Sequence, residues 1–436
     1  MLPSRSAPLA GVLVLLCAAA LTLPACGSDD EPERQRRGGP TSIELTIGNS
    51  VPLSGRLADF GPDAKRAAQL AVDRISAAIE RGGFDHEVDL VTVDNGSNPQ
   101  RAVATAERLI AADGASCIVG PWGGAETLSV ARSVAVPERV ALISPAATLD
   151  ELTDLTDSSL VNRTAPPDSA QGPALANAIA ADLDGAEGRT VNVASRDDAY
   201  GESLASSFID AWKEEGGKVG EWFDYDVDRE SPGAIARDLA AGEPDATVIF
   251  DFPASFARLA PALAETPAYD PARTWAADLL ASTELPQEVP AGAIEGLRGT
   301  LPAAPDDNSA TTAFRELFAQ GESEAGPGPF AAQTFDAVVL CYLAAVAAGS
   351  AEGGEIGPFV PPVSGPRGEE LTWEDLPKAV RILEAGREID YEGASGALDI
   401  DVHGDPTAAT YDIYEFAGDQ VLLVDQVSVG RGPSGR

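Results

Sequence analysis

From Ile43 onward the chain alternates short apolar runs of strand period with amphipathic stripes of helical period, and it completes that cycle twice. Ile43, Leu45 and Ile47 open the first strand, and Ala64, Ala67, Ala71, Ile75 and Ile79 form a helical stripe that ends at Gly82-Gly83. A strand over 88–93 follows, then a helix entered at Asn98-Pro99 and stopped by Gly114, a strand over 117–119, a helix over 125–135 and a strand over 140–144. Strands separated by single helices pair in parallel, because a parallel partner is reached only through a crossover, and the crossovers cover both faces of the sheet.

The pattern restarts with strands over 190–194, 218–223, 246–252 and 274–277, separated by helices. Two such units in 436 residues predict an α/β fold of two lobes, each built like a doubly wound nucleotide-binding domain on a parallel central sheet. Pro166-Pro167 lies between the units and suits an interlobe crossing. Later, 330–348 reads as a strong helix, 349–368 as a Gly/Pro-rich surface loop, and 410–416 with 421–427 as strands.

Ahead of these units, Arg5 precedes an apolar run over 9–23 and then Leu23-Pro24-Ala25-Cys26. This reads as a secretory signal peptide over 1–25 with a lipobox, so that Cys26 carries lipid and residues 26–40 form a flexible tether. The run falls short of the roughly 20 residues that span a bilayer, and no other stretch reads as membrane-spanning. Cys117 and Cys341, in an apolar strand and an Ala/Val-rich helix, read as buried thiols, although an oxidising exterior permits them to pair.

Sixty-nine Asp and Glu against 30 Lys and Arg give a formal charge of -39. That balance excludes nucleic acid as a partner, since a phosphate backbone needs a cationic surface. No phosphate-loop pattern and no His/Cys cluster of metal-ligand spacing appears, so no cofactor or metal is expected. The two histidines, His86 and His403, sit in polar, turn-like settings away from any strand end and read as solvated side chains, so the chain is not read as an enzyme.

Ligands of open α/β sheets bind beyond the carboxyl ends of the strands. In the first unit those loops are 52–60, 120–125 and 144–148, small and Gly-rich. In the second they include Tyr200, Phe252 and Asp278, aromatic and acidic. Backbone N–H groups on one side and an acid with aromatics on the other resemble half-sites for a zwitterion.

The run Ile47-Gly48-Asn49-Ser50-Val51-Pro52-Leu53-Ser54-Gly55, followed by Phe60-Gly61, resembles the opening of the leucine/isoleucine/valine-binding protein family. Ile118-Val119-Gly120-Pro121, Ile143-Ser144-Pro145-Ala146-Ala147-Thr148, Gln171-Gly172-Pro173, Asp197-Asp198-Ala199-Tyr200-Gly201 and Gly296-Leu297-Arg298-Gly299-Thr300 match in order. The resemblance implies a type I periplasmic-binding-protein fold with three interlobe crossings, placed at 163–172, 296–303 and 391–397. Lobe 1 would then comprise 41–165 and 300–392, and lobe 2 would comprise 166–299 and 393–436. It also implies a monomer that closes over an amino acid and delivers it to the permease and ATPase of an ABC importer. By the same resemblance the ligand carboxylate would meet Ala146, Thr148 and Gly124, the ammonium would meet Asp278, Tyr200 would stack on the ligand, and Phe60, Trp122, Phe252 and Phe330 would wall the pocket. The segment Gly123-Gly124-Ala125-Glu126, often Ser-rich in the family, and the bulk of Trp122 depart from the branched-chain pattern.

Overall fold

In the computed structural model, which describes residues 42–320 and 326–430, the first alternating unit becomes a five-stranded parallel sheet. The signal segment, Cys26 and the tether expected over 1–40 lie outside the described residues. Strands β1 (Ile43–Val51), β2 (His86–Asp94), β3 (Cys117–Val119), β4 (Ala141–Ser144) and β5 (Val161–Arg163) stand in the order β2-β1-β3-β4-β5. The Ala/Ile stripe of helix Gly61–Gly82 packs under β1, with Pro62 in its first turn and Gly83 closing it at φ 68. Asn98 caps helix Pro99–Ala111 by accepting from the Arg101 N–H.

The second sheet has seven strands. β6 (Thr190–Arg196), β7 (Lys218–Tyr225), β8 (Ala246–Phe250), β9 (Thr274–Ala276) and β10 (Arg298–Ala303) are mutually parallel. A third, small sheet holds β11 (Glu369–Thr372), β12 (Ile389–Gly393) and β13 (Gly396–Ala397). The last strands, β14 (Ala408–Ala417) and β15 (Gln420–Gly430), return to the second sheet as an antiparallel hairpin beside β10, so that sheet is mixed rather than wholly parallel.

The chain changes sheets later than the sequence pattern suggests. β10 lies inside the second sheet, and Ala310 and Phe314 already belong to the first core, so the second crossing follows Ala303. Leu398 and Ile400 also pack in the first core, which moves the third crossing beyond Ile400.

Helix Ala331–Ala348 is the centre of the first core. By length and composition it is apolar enough to cross a membrane, contrary to the sequence reading, but 89% of it is buried within the protein. From this helix Cys341 is disulfide-bonded to Cys117 of β3, Cα to Cα 6.1 Å, which corrects the reading of both as thiols. Their separation of 224 residues left no local trace of the pairing. The expected surface loop 349–368 is also corrected. Gly353–Ile356 and Val360–Ser364 are short helices whose Ile356, Val360 and Val363 recur at helical spacing and bury in the core, a period masked by the surrounding Gly and Pro. The His86 side chain is inaccessible to solvent, its Nδ1 2.8 Å from the Tyr342 hydroxyl, which corrects the reading of it as solvated, whereas His403 is exposed.

Candidate ligand-binding site

Strand order reverses between β1 and β3 in the first sheet and between β6 and β8 in the second, and loops diverge at such points to leave a crevice. The four loops that follow these strands supply Phe60, Trp122, Tyr200 and Phe252. Phe60, Trp122, Ala146 and Phe330 from the first lobe and Phe252 from the second form one buried cluster, with Tyr200 packed against it. Phe60 and Trp122 stack at 6.2 Å, Trp122 meets Phe330 edge-on at 5.9 Å, and Tyr200 stacks on Phe252 at 4.9 Å. Trp122, Ala146, Tyr200 and Phe252 of this group, with Gly124, Thr148 and Leu279, line a cavity of about 90 Å³; Phe60 and Phe330 pack behind Trp122 and do not reach it. Ligand sites ordinarily hold about 300 Å³ or more, and this one is narrowed because Phe252 and Tyr200 of the second lobe pack against the first-lobe cluster. Larger cavities of about 470 and 430 Å³ lie beside the crossings, both touching Pro302 and Gln333 and neither touching Thr148 or Tyr200.

The first-lobe wall is rigid because its hydroxyls are used internally. Ser144 Oγ donates to the Pro121 carbonyl at 2.6 Å and accepts from the Ala147 N–H at 3.1 Å, fixing the loop that presents Thr148. Gly124 is required by close approach, since a Cβ there would run into the Leu149 side chain. On the opposite wall Asp198 caps helix Ala199–Glu214 and so places Tyr200 in its first turn. Phe252 is held by Asp251, which is buried, accepts from its N–H at 2.8 Å and from the Tyr225 hydroxyl at 2.5 Å, and pairs with Arg196 at 3.3 Å. The Arg196 guanidinium lies 4.5 Å from the Phe252 ring centre.

Asp278 follows β9 and is fully buried. The Tyr200 hydroxyl donates to its Oδ1 at 2.8 Å, while Oδ2 has no partner. Burial pushes its pKa up to about 6, against the lowering effect of the Tyr200 hydroxyl.

Sequence reading missed a second acid, Asp168, at the start of helix Asp168–Asp182. It is fully buried, and both its carboxylate oxygens lack a partner. Burial raises its pKa to about 7; the Ser203 and Thr148 hydroxyls pull it down, while the charges of Asp150 and Asp278 add to the rise. The Tyr411 hydroxyl and Gln171 Oε1 are likewise buried and unpartnered. The signal was present as an acid directly after Pro166-Pro167, three residues before Gln171, in a stretch that reads only as a crossing. Dry, unpaired carboxylates demand either protons or a cation. Among the described residues, no group of three or more His, Cys, Asp or Glu could hold a metal ion.

A model of the family described as periplasmic binding protein matches residues 44–397. The chain is 28% identical over 364 residues, 82% of its length and 83% of the relative's, to the chemotactic signal transduction system substrate-binding protein BasB of Halobacterium salinarum. It is 31% identical over 168 residues, 38% of its length and 43% of the relative's, to the Leu/Ile/Val-binding protein BraC3 of Rhizobium johnstonii. Its fold is similar to that of the branched-chain amino acid transporter substrate-binding protein LivJ of Streptococcus pneumoniae, solved with isoleucine. That match has a TM-score of 0.71 at 22% identity and covers 89% of this chain and all of that one. Two lobes of matching strand order, a crevice at their switch points and a family match across most of the chain agree, and the chain belongs to the periplasmic binding proteins, with the type I fold.

Proposed function

We propose that this chain is an extracytoplasmic solute-binding lipoprotein, anchored through Cys26, that captures an amino acid between its lobes and delivers it to the permease and ATPase of an ABC importer. The observation that carries this reading is a pair of buried carboxylates, Asp278 with one oxygen unpartnered and Asp168 with both, next to a small cavity with an aromatic wall. An ammonium held there would satisfy Asp278 Oδ2 and Asp168 and replace the protons that burial otherwise requires. The ligand carboxylate would accept from the Thr148 hydroxyl and from backbone N–H groups at Ala146 and Gly124. Tyr200, Trp122 and Phe252 would enclose the side chain, with Phe60 and Phe330 behind Trp122. Contacts divided between lobes favour the closed state only when ligand is present to bridge them, so binding and closure are one event. The protein acts as a monomer in this reading, with residues 42–165 and most of 304–405 in lobe 1 and residues 166–303 and 408–430 in lobe 2.

The test is a thermal-shift screen of the chain, unfolded and refolded to strip ligand, against amino acids and against acids and amides without an ammonium. Ligand at 100 times its dissociation constant stabilises the native state by about 2.7 kcal/mol. A shift confined to amino acids supports the reading, and a shift with acids lacking an ammonium removes Asp278 from its role.

A second reading is a sensor subunit, favoured by the likeness to a substrate-binding protein of a chemotactic system. Co-purification with a transporter ATPase rather than a signalling receptor would decide for transport.

A further inference from the structure

Three buried polar atoms at the closed cavity have no hydrogen-bond partner, and together they describe a chemical group. Arg56 and Trp122 line the cavity. Arg56 Nε and Trp122 Nε1 are donors with nothing to donate to, and Glu126 Oε2 is an acceptor that receives nothing. Glu126, 1% exposed, is joined to this wall because Arg56 Nη2 donates to its Oε1 at 2.9 Å. Its carboxylate also folds over Gly123, itself part of the cavity lining, so closely that a Cβ there would collide with Oε2. The Arg56 guanidinium comes from the loop after β1 and lies 5.4 Å from the ring centre of Phe252 in the other lobe. The wall therefore runs from Asp278 to the Tyr200 hydroxyl, from the Tyr200 ring to Phe252, and from Phe252 to Arg56 and Glu126. One end is anionic, and the other is a neutralised ion pair with spare donors and a spare acceptor.

We infer that the amino acid taken by this site, if the reading above holds, carries a primary carboxamide at the end of its side chain. The amide oxygen, with two lone pairs, accepts from Arg56 and Trp122, and the amide nitrogen donates to Glu126. An alkyl side chain leaves all three atoms dry and unpaired. A carboxylate answers the donors but meets Glu126 Oε2, a like charge on a side chain that is 1% exposed. An ammonium or guanidinium meets Arg56. An uncharged group that both accepts and donates satisfies all three atoms, and a site built this way rejects analogues lacking those functions because its own buried groups are then left unpaired.

The test is isothermal titration of the refolded full chain, its disulfide intact, with L-glutamine, L-glutamate and L-leucine, repeated with Glu126→Gln and Arg56→Met. Glutamine is expected to bind at least about tenfold more tightly than either competitor. Each substitution is expected to reduce the glutamine-to-leucine ratio by about tenfold. Leucine binding as tightly as glutamine, or substitutions that weaken both equally, overturns the carboxamide and leaves the amino-acid reading standing. Absence of binding by all three overturns both. Glu126→Gln preserves volume and its folding is checked by melting, and the wild-type ranking decides the matter should Arg56→Met fail to fold.

Discussion

The Tyr200 hydroxyl donates to Asp278 Oδ1 at 2.8 Å and leaves Oδ2 without a partner, so half of a buried carboxylate is held in place and half is free for a ligand. The two residues are therefore expected to respond differently to substitution. Tyr200→Phe removes one hydrogen bond to a charged group and should weaken binding of an amino acid by about 1.5–3 kcal/mol. Asp278→Asn leaves the ligand ammonium desolvated without its counter-charge and should cost about 3–5 kcal/mol, beyond the detection limit of ordinary titrations. Isothermal titration of both variants checks the order, and equal losses would place the ammonium elsewhere.

Burial raises Asp168 to about 7 and Asp278 to about 6, and the sign of the pH effect follows. In the ligand-free folded chain these carboxyls keep protons that the unfolded chain loses near pH 4. The folded state thus binds more protons between about pH 4 and 7, and their contribution to stability is present at the acid side and lost as pH rises through that window. An ammonium ligand needs the anions, so affinity should rise over the same interval while ligand-free stability falls. Binding at pH 6 should release protons and binding at pH 8 almost none, which titration in buffers of different ionisation enthalpy measures directly.

The Cys117–Cys341 disulfide ties β3 to the central helix of the first core across 224 residues of chain. Closing so long a loop restricts the unfolded chain by about 5 kcal/mol on the chain-entropy account, and native disulfides deliver about 2–5. The Cys117→Ala, Cys341→Ala double variant should unfold at markedly lower urea concentration while ranking ligands as the parent does. Both sulfurs are buried, so reductant should act on the native protein only as fast as it opens.

Much of this architecture was legible in sequence because it rests on local period. The strand and helix alternation and the cap at Asn98 are each set by a few neighbouring residues. What was missed depends on partners distant in the chain. Asp168 is an ordinary helix-start acid until Thr148 and Asp278 surround it, and Arg56 and Glu126 acquire meaning only when the β1 and β3 loops meet. The second and third crossings, carried over from the family resemblance, were drawn too early because a motif match does not say which core the next apolar residue joins, as Leu398 and Ile400 illustrate.

Asp336 joins the central helix of the first lobe to the chain as it approaches the third crossing. Its carboxylate is fully buried and accepts from the Tyr391 hydroxyl, the Ala394 N–H and the Ser395 N–H, each at 2.8 Å, and from Ser395 Oγ at 2.6 Å. Gly393 has no room for a Cβ beside it. The lobe-1 end of the crossing is thus clamped, and Asp405, paired with Arg163 of β5 at 2.6 Å, holds the chain to the same lobe, so bending on opening must occur between Asp405 and Ala408. Asp336→Asn keeps one acceptor but brings an NH₂ against donors, which should cost about 2–3 kcal/mol of stability and let the crossing flex earlier in the chain. Small-angle scattering of this variant should show a larger open-form radius, with a normal compact form at saturating ligand. If the variant melts and scatters like the parent, Asp336 does not set the pivot, and the bend is controlled by the other two crossings.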